Sequence, residues 1–392
     1  MKEDVSIPAQ PIGLRSNLLR GAAKLMLGSL LCVALPHALL AQGKDKVSHY
    51  NSRTERVVTE TGTIESNGLD GLSIKIDEDT THKVDANAIM RIVWGDVPSS
   101  FRDAATYWKR ADFTSALIQF RLAASDSDAR TPVRAVARMR AIECLMKLGA
   151  TDSARFEEAA DEAGRYITDH PNDHDLPRAT QIKARALWLT GNAKDAATTY
   201  NSIFEKGKAK AAGYPSLLCL ESGLQAAWAA LDAADTGLAR NYFTATQTAI
   251  EASLADASPA DAASLTSWAA NASVGEGFCL LKSGDSRGAR SFFERKQSNA
   301  TLAASGVFAA TLGLGEALLA SGDAAEAQIH LARVSALDPS GRDRTARALL
   351  GLAKCYQAFG DPKSDTQASI LLAKIKGAYG DTPAAIQAAK VK

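Results

Sequence analysis

The chain has 392 residues, 46% of them hydrophobic and 6% aromatic, with 45 Lys+Arg against 44 Asp+Glu and a net charge of +1. That length allows two or three domains or one long repeat array, and so little aromatic mass suits close-packed helices better than a large sheet core. The near-zero charge balance argues against a nucleic-acid partner, which needs a basic face to release counterions.

Residues 1–41 read as an export signal. Arg15, Arg20 and Lys24 precede an apolar stretch over 25–41 that ends in small residues before Gln42. At about 17 residues, interrupted by Pro36 and His37, the stretch is marginal for spanning a bilayer. Cleavage after Ala41 and retention as an inner-membrane anchor are therefore both open, and either outcome puts the body of the chain in the periplasm or cell envelope. No second stretch of spanning length follows, so no other membrane contact is expected.

Residues 43–55 are polar and read as a linker. Over 56–95 the period is two, which predicts a small antiparallel β module of four or five strands. Leu72-Ser73-Ile74-Lys75-Ile76 alternates as a strand with one buried face. Val57, Val58 and Ile64 imply a strand pair turning around Thr61-Gly62, and Asn67-Gly68 and Asp70-Gly71 supply turn residues. Segments 81–84 and 88–93 complete the meander. About 40 residues cannot bury much core alone, so the module should close into a barrel, pack on the first helices, or both. It resembles the small β-barrel modules found ahead of helical repeats in some exported bacterial proteins.

From 99 to 390 a helical pattern recurs around seven anchor positions: 111, 149, 191, 234, 284, 322 and 360. Five residues after six of these anchors stands an Ala: Ala116, Ala154, Ala196, Ala239, Ala289 and Ala327. Each anchor should end one helix in the left-handed conformation that glycine accepts readily, and the Asp, Asn or Ser that follows should cap the next. The small Ala lets the paired helices cross closely. One turn later Phe120, Tyr200, Phe243, Phe293 and Leu331 should fill the gap between them. The expected fold is mainly α, a solenoid of about seven helix pairs.

The copy around Gly322 carries Leu314-Gly315, Leu318, Gly322-Asp323, Ala327, Leu331 and Asp338-Pro339. With these residues the chain resembles the tetratricopeptide repeat (TPR) family, whose unit is about 34 residues. The copy around Gly360 keeps Leu352-Ala353, Tyr356 and Gly360-Asp361 but lacks the later Ala. Copies before Gly284 are longer than that unit, and Ser258-Pro259-Ala260-Asp261 reads as an insertion loop.

The resemblance implies that the first helix of each pair lines a concave face, through positions three, six and ten before each anchor. That rule selects Trp108, Met139, Glu143, Met146, Arg185 and Trp188. In the later repeats it adds Leu224, Trp228, Phe278, Leu281, Leu312, Glu316 and Leu319. The face should be apolar and aromatic with isolated charges. It is either packed against neighbouring helices or free as a groove for a partner's peptide or helix. Only Arg178 and Arg185 fall near the places where some family members carry a basic clamp for a peptide carboxylate, so that activity is not carried over.

Other residue groups carry less. Cys144, Cys279 and Cys355 stand five residues before an anchor, where Ala186, Ala229 and Ala317 stand elsewhere, so small buried side chains rather than disulfides are expected. In 169–175, Pro171 keeps His170 and His174 off a common helix face, and a solvated loop is expected rather than a metal site. Gly313-Leu314-Gly315 and Gly275-Glu276-Gly277 follow no strand, which fits helix crossing rather than a phosphate loop. With no Ser-His-acid grouping and no Gly-Lys-Ser/Thr motif, no catalytic residue, cofactor or metal is expected. An enzyme with a scattered site is the remote alternative. The expected partner is a protein or peptide, with self-association through the groove or exposed strand edges as the alternative.

Overall fold

The structure is a computed structural model that describes residues 43–338 and 341–391. The expected signal at 1–41 and Pro339 lie outside the described residues. Strands β1 (Asp45–Asn51), β2 (Arg56–Gly68), β3 (Gly71–Lys75), β4 (Thr81–Asp85) and β5 (Ile89–Val93) form an antiparallel sheet in the order β4-β3-β2-β1-β5. Its core gathers Val47, Ile64, Leu72, Ile74, Val84 and Ile92.

Two sequence expectations change here. The polar segment 43–55 is not a linker, because β1 lies between β2 and β5. Its first inward residue is a carboxylate, Asp45, fully buried beside Val47, so alternation of apolar residues could not reveal the strand. Nor do Val57 and Ile64 belong to two strands. β2 runs unbroken through Gly62, pairing with β1 over Arg56–Gly62 and with β3 over Thr63–Gly68.

Helices follow in antiparallel pairs: α1 (Ser99–Lys109) with α2 (Phe113–Ser125), α3 (Thr131–Leu148) with α4 (Ala154–Asp169), and α5 (Leu176–Leu189) with α6 (Ala193–Lys208). Next come α7 (Ser216–Asp232) with α8 (Thr236–Leu254), then α9 (Pro259–Ala272) and α10 (Gly275–Lys282) together facing α11 (Ser286–Gln297). Pairs α12 (Ala304–Ala320) with α13 (Ala324–Leu337) and α14 (Arg342–Phe359) with α15 (Pro362–Ala378) complete a TPR-like α-solenoid of seven pairs, and α16 (Pro383–Lys390) follows. Among the described residues no helix is long and apolar enough to cross a membrane. The Ser258–Asp261 stretch is not an insertion loop. Ser258 caps α9, accepting from the Asp261 N–H while its hydroxyl donates to the Asp261 carboxylate at 2.8 Å. The long spacing there comes from an added helix.

Six anchors behave as expected: Ala111, Gly191, Ala234, Gly284, Gly322 and Gly360 have φ between 58° and 92°. Asp112, Asp235, Asp285, Asp323 and Asp361 then cap the next helix through backbone N–H groups. Gly149 differs. It stays right-handed (φ −56°, ψ −25°), and its lack of a side chain serves packing, since a Cβ would lie 2.3 Å from Phe156 Cε1. In the same pair Ala154 is exposed, and α4 buries Phe156 and Ala159 instead. A left-handed Ala costs about 1–2 kcal/mol, partly offset by the chain entropy glycine loses on folding. Ala234→Gly should therefore raise stability by about 0.5–1 kcal/mol, read from urea unfolding midpoints.

The plug residues Phe120, Tyr200, Phe243, Phe293 and Leu331 are all buried. Phe293 sits between glycines of two successive pairs: a Cβ on Gly277 would lie 2.6 Å from its ring, and one on Gly313 would lie 2.2 Å away. Leu331 is flanked the same way by Gly315 and Gly351. Helix crossing thus accounts for the glycine pairs.

The β module docks on the first repeats. The 169–175 segment, expected as a solvated loop, instead meets the β2–β3 hairpin, where Leu69 N–H donates to the Asn172 carbonyl at 2.8 Å and Gly68 bridges to Asp173. Tyr166 donates to the half-buried Asp173 carboxylate at 2.7 Å. Deeper in the interface, Arg130, just before α3, grips Asp45 with two bonds of 2.8 Å and also donates to the Ile64 and Gly95 carbonyls.

Cys144, Cys219, Cys279 and Cys355 are buried and unpaired. Burial pushes the Cys144 thiol up to about 12 and the other three to about 11, so little reactive thiolate forms at neutral pH. Alkylation of the native chain at about pH 8, mapped by mass spectrometry, should leave these four unmodified while the denatured chain reacts fully.

Candidate partner-binding cavity

The concave side of the solenoid holds a cavity of about 720 Å³. α3, α5 and α7 supply one wall, with Trp108 at its edge. α9, α10, α12 and α14 supply the other, and α16 closes one side through Pro383, Ala384 and Gln387. Trp108, Trp188, Trp228 and Trp268 all line it. Trp228 stacks edge-on against Phe243 and Phe278, with ring centroids 5.1 and 4.9 Å away.

The charges lining the cavity are not isolated. Glu143 receives Arg178 Nε at 2.6 Å and Arg140 Nη1 at 2.7 Å. Burial alone would raise the Glu143 carboxyl, but these two guanidinium groups outweigh it and hold it low. Arg185 makes a bidentate pair with Asp343 at 3.0 and 3.1 Å. Arg347 makes one with Glu316 at 2.5 and 2.7 Å while lying over the Trp228 and Phe278 rings. Two carboxyls take their hydrogen bonds from neutral donors: Asp232 from Trp188 Nε1 at 2.9 Å, and Glu221 from Gln181 at 3.3 Å. Burial raises both, more than the nearby arginines and these hydrogen bonds lower them.

Of the residues picked from sequence, Trp108, Glu143, Met146, Arg185, Trp188 and Leu224 line the cavity, as do Trp228, Phe278 and Leu312. Four do not. Met139 is buried beside Tyr166 and Ala179, and Leu281 and Leu319 pack onto the main helical core. Glu316 is held by Arg347. The expectation of an apolar face with isolated charges is thus corrected: the lining is aromatic and laced with ion pairs, because a concave wall shared by several helices brings opposite charges within reach.

The missed residues had a signal. Reading one helical turn further, thirteen before the last five anchors, gives Arg178, Glu221, Asn271, Ala309 and Arg347, and each lines the cavity, whereas the same step from the first two anchors gives Pro98 and Val136, which do not. Nothing in the repeat pattern could place α16 there.

No protein-family model matches the chain, and no curated protein does. Among solved structures, it is similar to a tetratricopeptide repeat protein from Parabacteroides merdae ATCC 43184, at 14% identity and a TM-score of 0.46, over 70% of this chain and 90% of that one. It is also similar to BtubC (BKLC) from P. vanneervenii, at 13% identity and a TM-score of 0.35, over 64% and 94%.

Proposed function

We propose that this chain is a non-catalytic interaction scaffold of the bacterial cell envelope that takes a short peptide segment of a partner protein into its concave cavity. The observation that carries this reading is the gathering of four of the chain's five tryptophans on one concave surface, between charged groups most of which are already paired or hydrogen-bonded. Such a surface offers apolar grip with few charges left to satisfy. The volume sets the size of the occupant. One helical turn about 10 Å across and 5.4 Å long takes up roughly 420 Å³, so the cavity holds fewer than two turns. The envelope location rests on the basic and apolar character of 1–41, and terminal sequencing of the protein from cells tests it.

Panning a displayed random-peptide library on the wild-type chain should enrich binders. Those binders should lose at least about tenfold in affinity for Gln225→Arg, which crowds the cavity and keeps the tryptophans. Enrichment that ignores this substitution would overturn the cavity as the site. Self-association is the second reading, favoured by the unpaired outer edge of β5 and the exposure of Met90. Light scattering that finds a monomer at tens of micromolar removes it.

A further inference from the structure

The last pair and the segment after it meet the second and third pairs across the cavity. Arg185 on α5 reaches 158 residues along the chain to Asp343 and a further 38 to the Asp381 carbonyl, at 2.8 Å. Arg342 holds the same segment from the other side. Its guanidinium bonds the Asp381 carboxylate at 2.6 Å and the Ala378 carbonyl at 2.6 Å, and lies 4.9 Å over the Tyr379 ring. Gly380 passes so close to the α3–α4 turn that a Cβ would lie 1.9 Å from the Ala150 carbonyl oxygen. Beyond it, α16 buries only Ala384 and Ala388 and presents Pro383, Ala384 and Gln387 to the cavity.

We propose that residues 379–391 are an intramolecular latch, which closes the superhelix on its cavity and which a partner segment displaces as it binds. The partner half of this statement rests on the function proposed above. The latch half rests on this geometry alone. What holds the segment is one bond from Arg185 to the Asp381 carbonyl, the half-exposed Arg342 contacts, and a small apolar footing of Tyr379, Val391 and three alanines of the eight-residue α16 beside the buried Thr382. Contacts of that kind are individually weak and screened by salt, and so short a helix does not persist unaided. The segment can therefore leave without unfolding the pairs beneath it. Its departure takes the Asp381 carbonyl from Arg185, which keeps its pair with Asp343, and removes one wall of the cavity.

A terminal helix that merely caps the last repeat would behave differently. Hydrogen exchange on the full-length wild-type chain should show 379–391 exchanging about tenfold faster than α14. In Gly380→Ala, whose new methyl collides with Ala150, segments covering Arg185 and Trp188 should also exchange several-fold faster, while α1 and α2 stay as in wild type. Arg342→Ala, which removes contacts without adding bulk, should change the same segments in the same direction. Equal protection of 379–391 and α14, no change in α5, or loss of protection through the whole array would each overturn the latch. A peptide recovered by panning should bind Gly380→Ala about fivefold tighter, because the closed state no longer competes. Equal affinity would overturn displacement. The exchange result decides the latch even if panning recovers no peptide, so the two proposals fail separately.

Discussion

Arg130→Ala should cost about 3–5 kcal/mol of stability, among the largest effects of any single side chain outside the helical core. Asp45 is fully buried, and its carboxylate accepts from the Ile64 and Gly95 N–H groups at 2.7 and 2.8 Å as well as from Arg130. With the guanidinium gone, a buried charge loses its counterion while remaining tied to the sheet. The Ile64 and Gly95 carbonyls lose donors in the same step. Urea unfolding of wild type, both single alanine variants and the double variant checks this. The double variant should cost well below the sum of the singles, because the second substitution removes the charge the first one stranded. A single-variant loss under about 1 kcal/mol would mean that the pair does not hold the module to the solenoid.

The same pair shows why the sequence told so much about the helices and so little about what joins them. Anchors, caps, crossing alanines and plugs lie within ten residues of one another and recur, so periodicity exposes them. Asp45 and Arg130 are 85 residues apart and occur once. A carboxylate at an inward strand position looks like solvent-facing chain until its partner is known, which is why 43–55 read as a linker. The 169–175 segment differs for a related reason: its backbone bonds a hairpin a hundred residues earlier, Asn172 accepting from Leu69 and His174 donating to Asn67. The cavity falls between these cases. Three of its four tryptophans and one member of each ion pair sit on the repeat rule, Arg178 and Arg347 lie one turn beyond its last position, and α16 follows no repeat at all.

Phe293→Ala should cost about 3–5 kcal/mol. The ring is fully buried, stacks on Phe278 at 4.9 Å, and fills space that Gly277 and Gly313 leave open on both sides. The two glycines that flank the ring have no side chains to move into the void. The converse change, Gly313→Ala, should cost about 1–3 kcal/mol by forcing a methyl against the ring. Placing Leu at 293 beside Ala at 313 should recover part of that loss, since Leu331 already occupies the equivalent socket in the next pair. Thermal and urea unfolding measure all three. A loss near 1 kcal/mol for Phe293→Ala would show that the helices close over the gap.

The placing of each plug across a boundary has a consequence for how the molecule comes apart. Phe293 belongs to the fifth pair, but half its socket is the first helix of the sixth. Leu331 belongs to the sixth and borrows from the seventh. One continuous core runs from Ala184 to Ala388. In a chain of modules the unfolding path depends on whether free energy resides within units or at their seams. Here the seams hold it. A protease that nicks the chain between α8 and α15 strips a socket from one fragment and a plug from the other, so no trimmed half-array should survive digestion. The pairs from α5 to α15 should melt as a single cooperative body, with only 379–391 opening ahead of them.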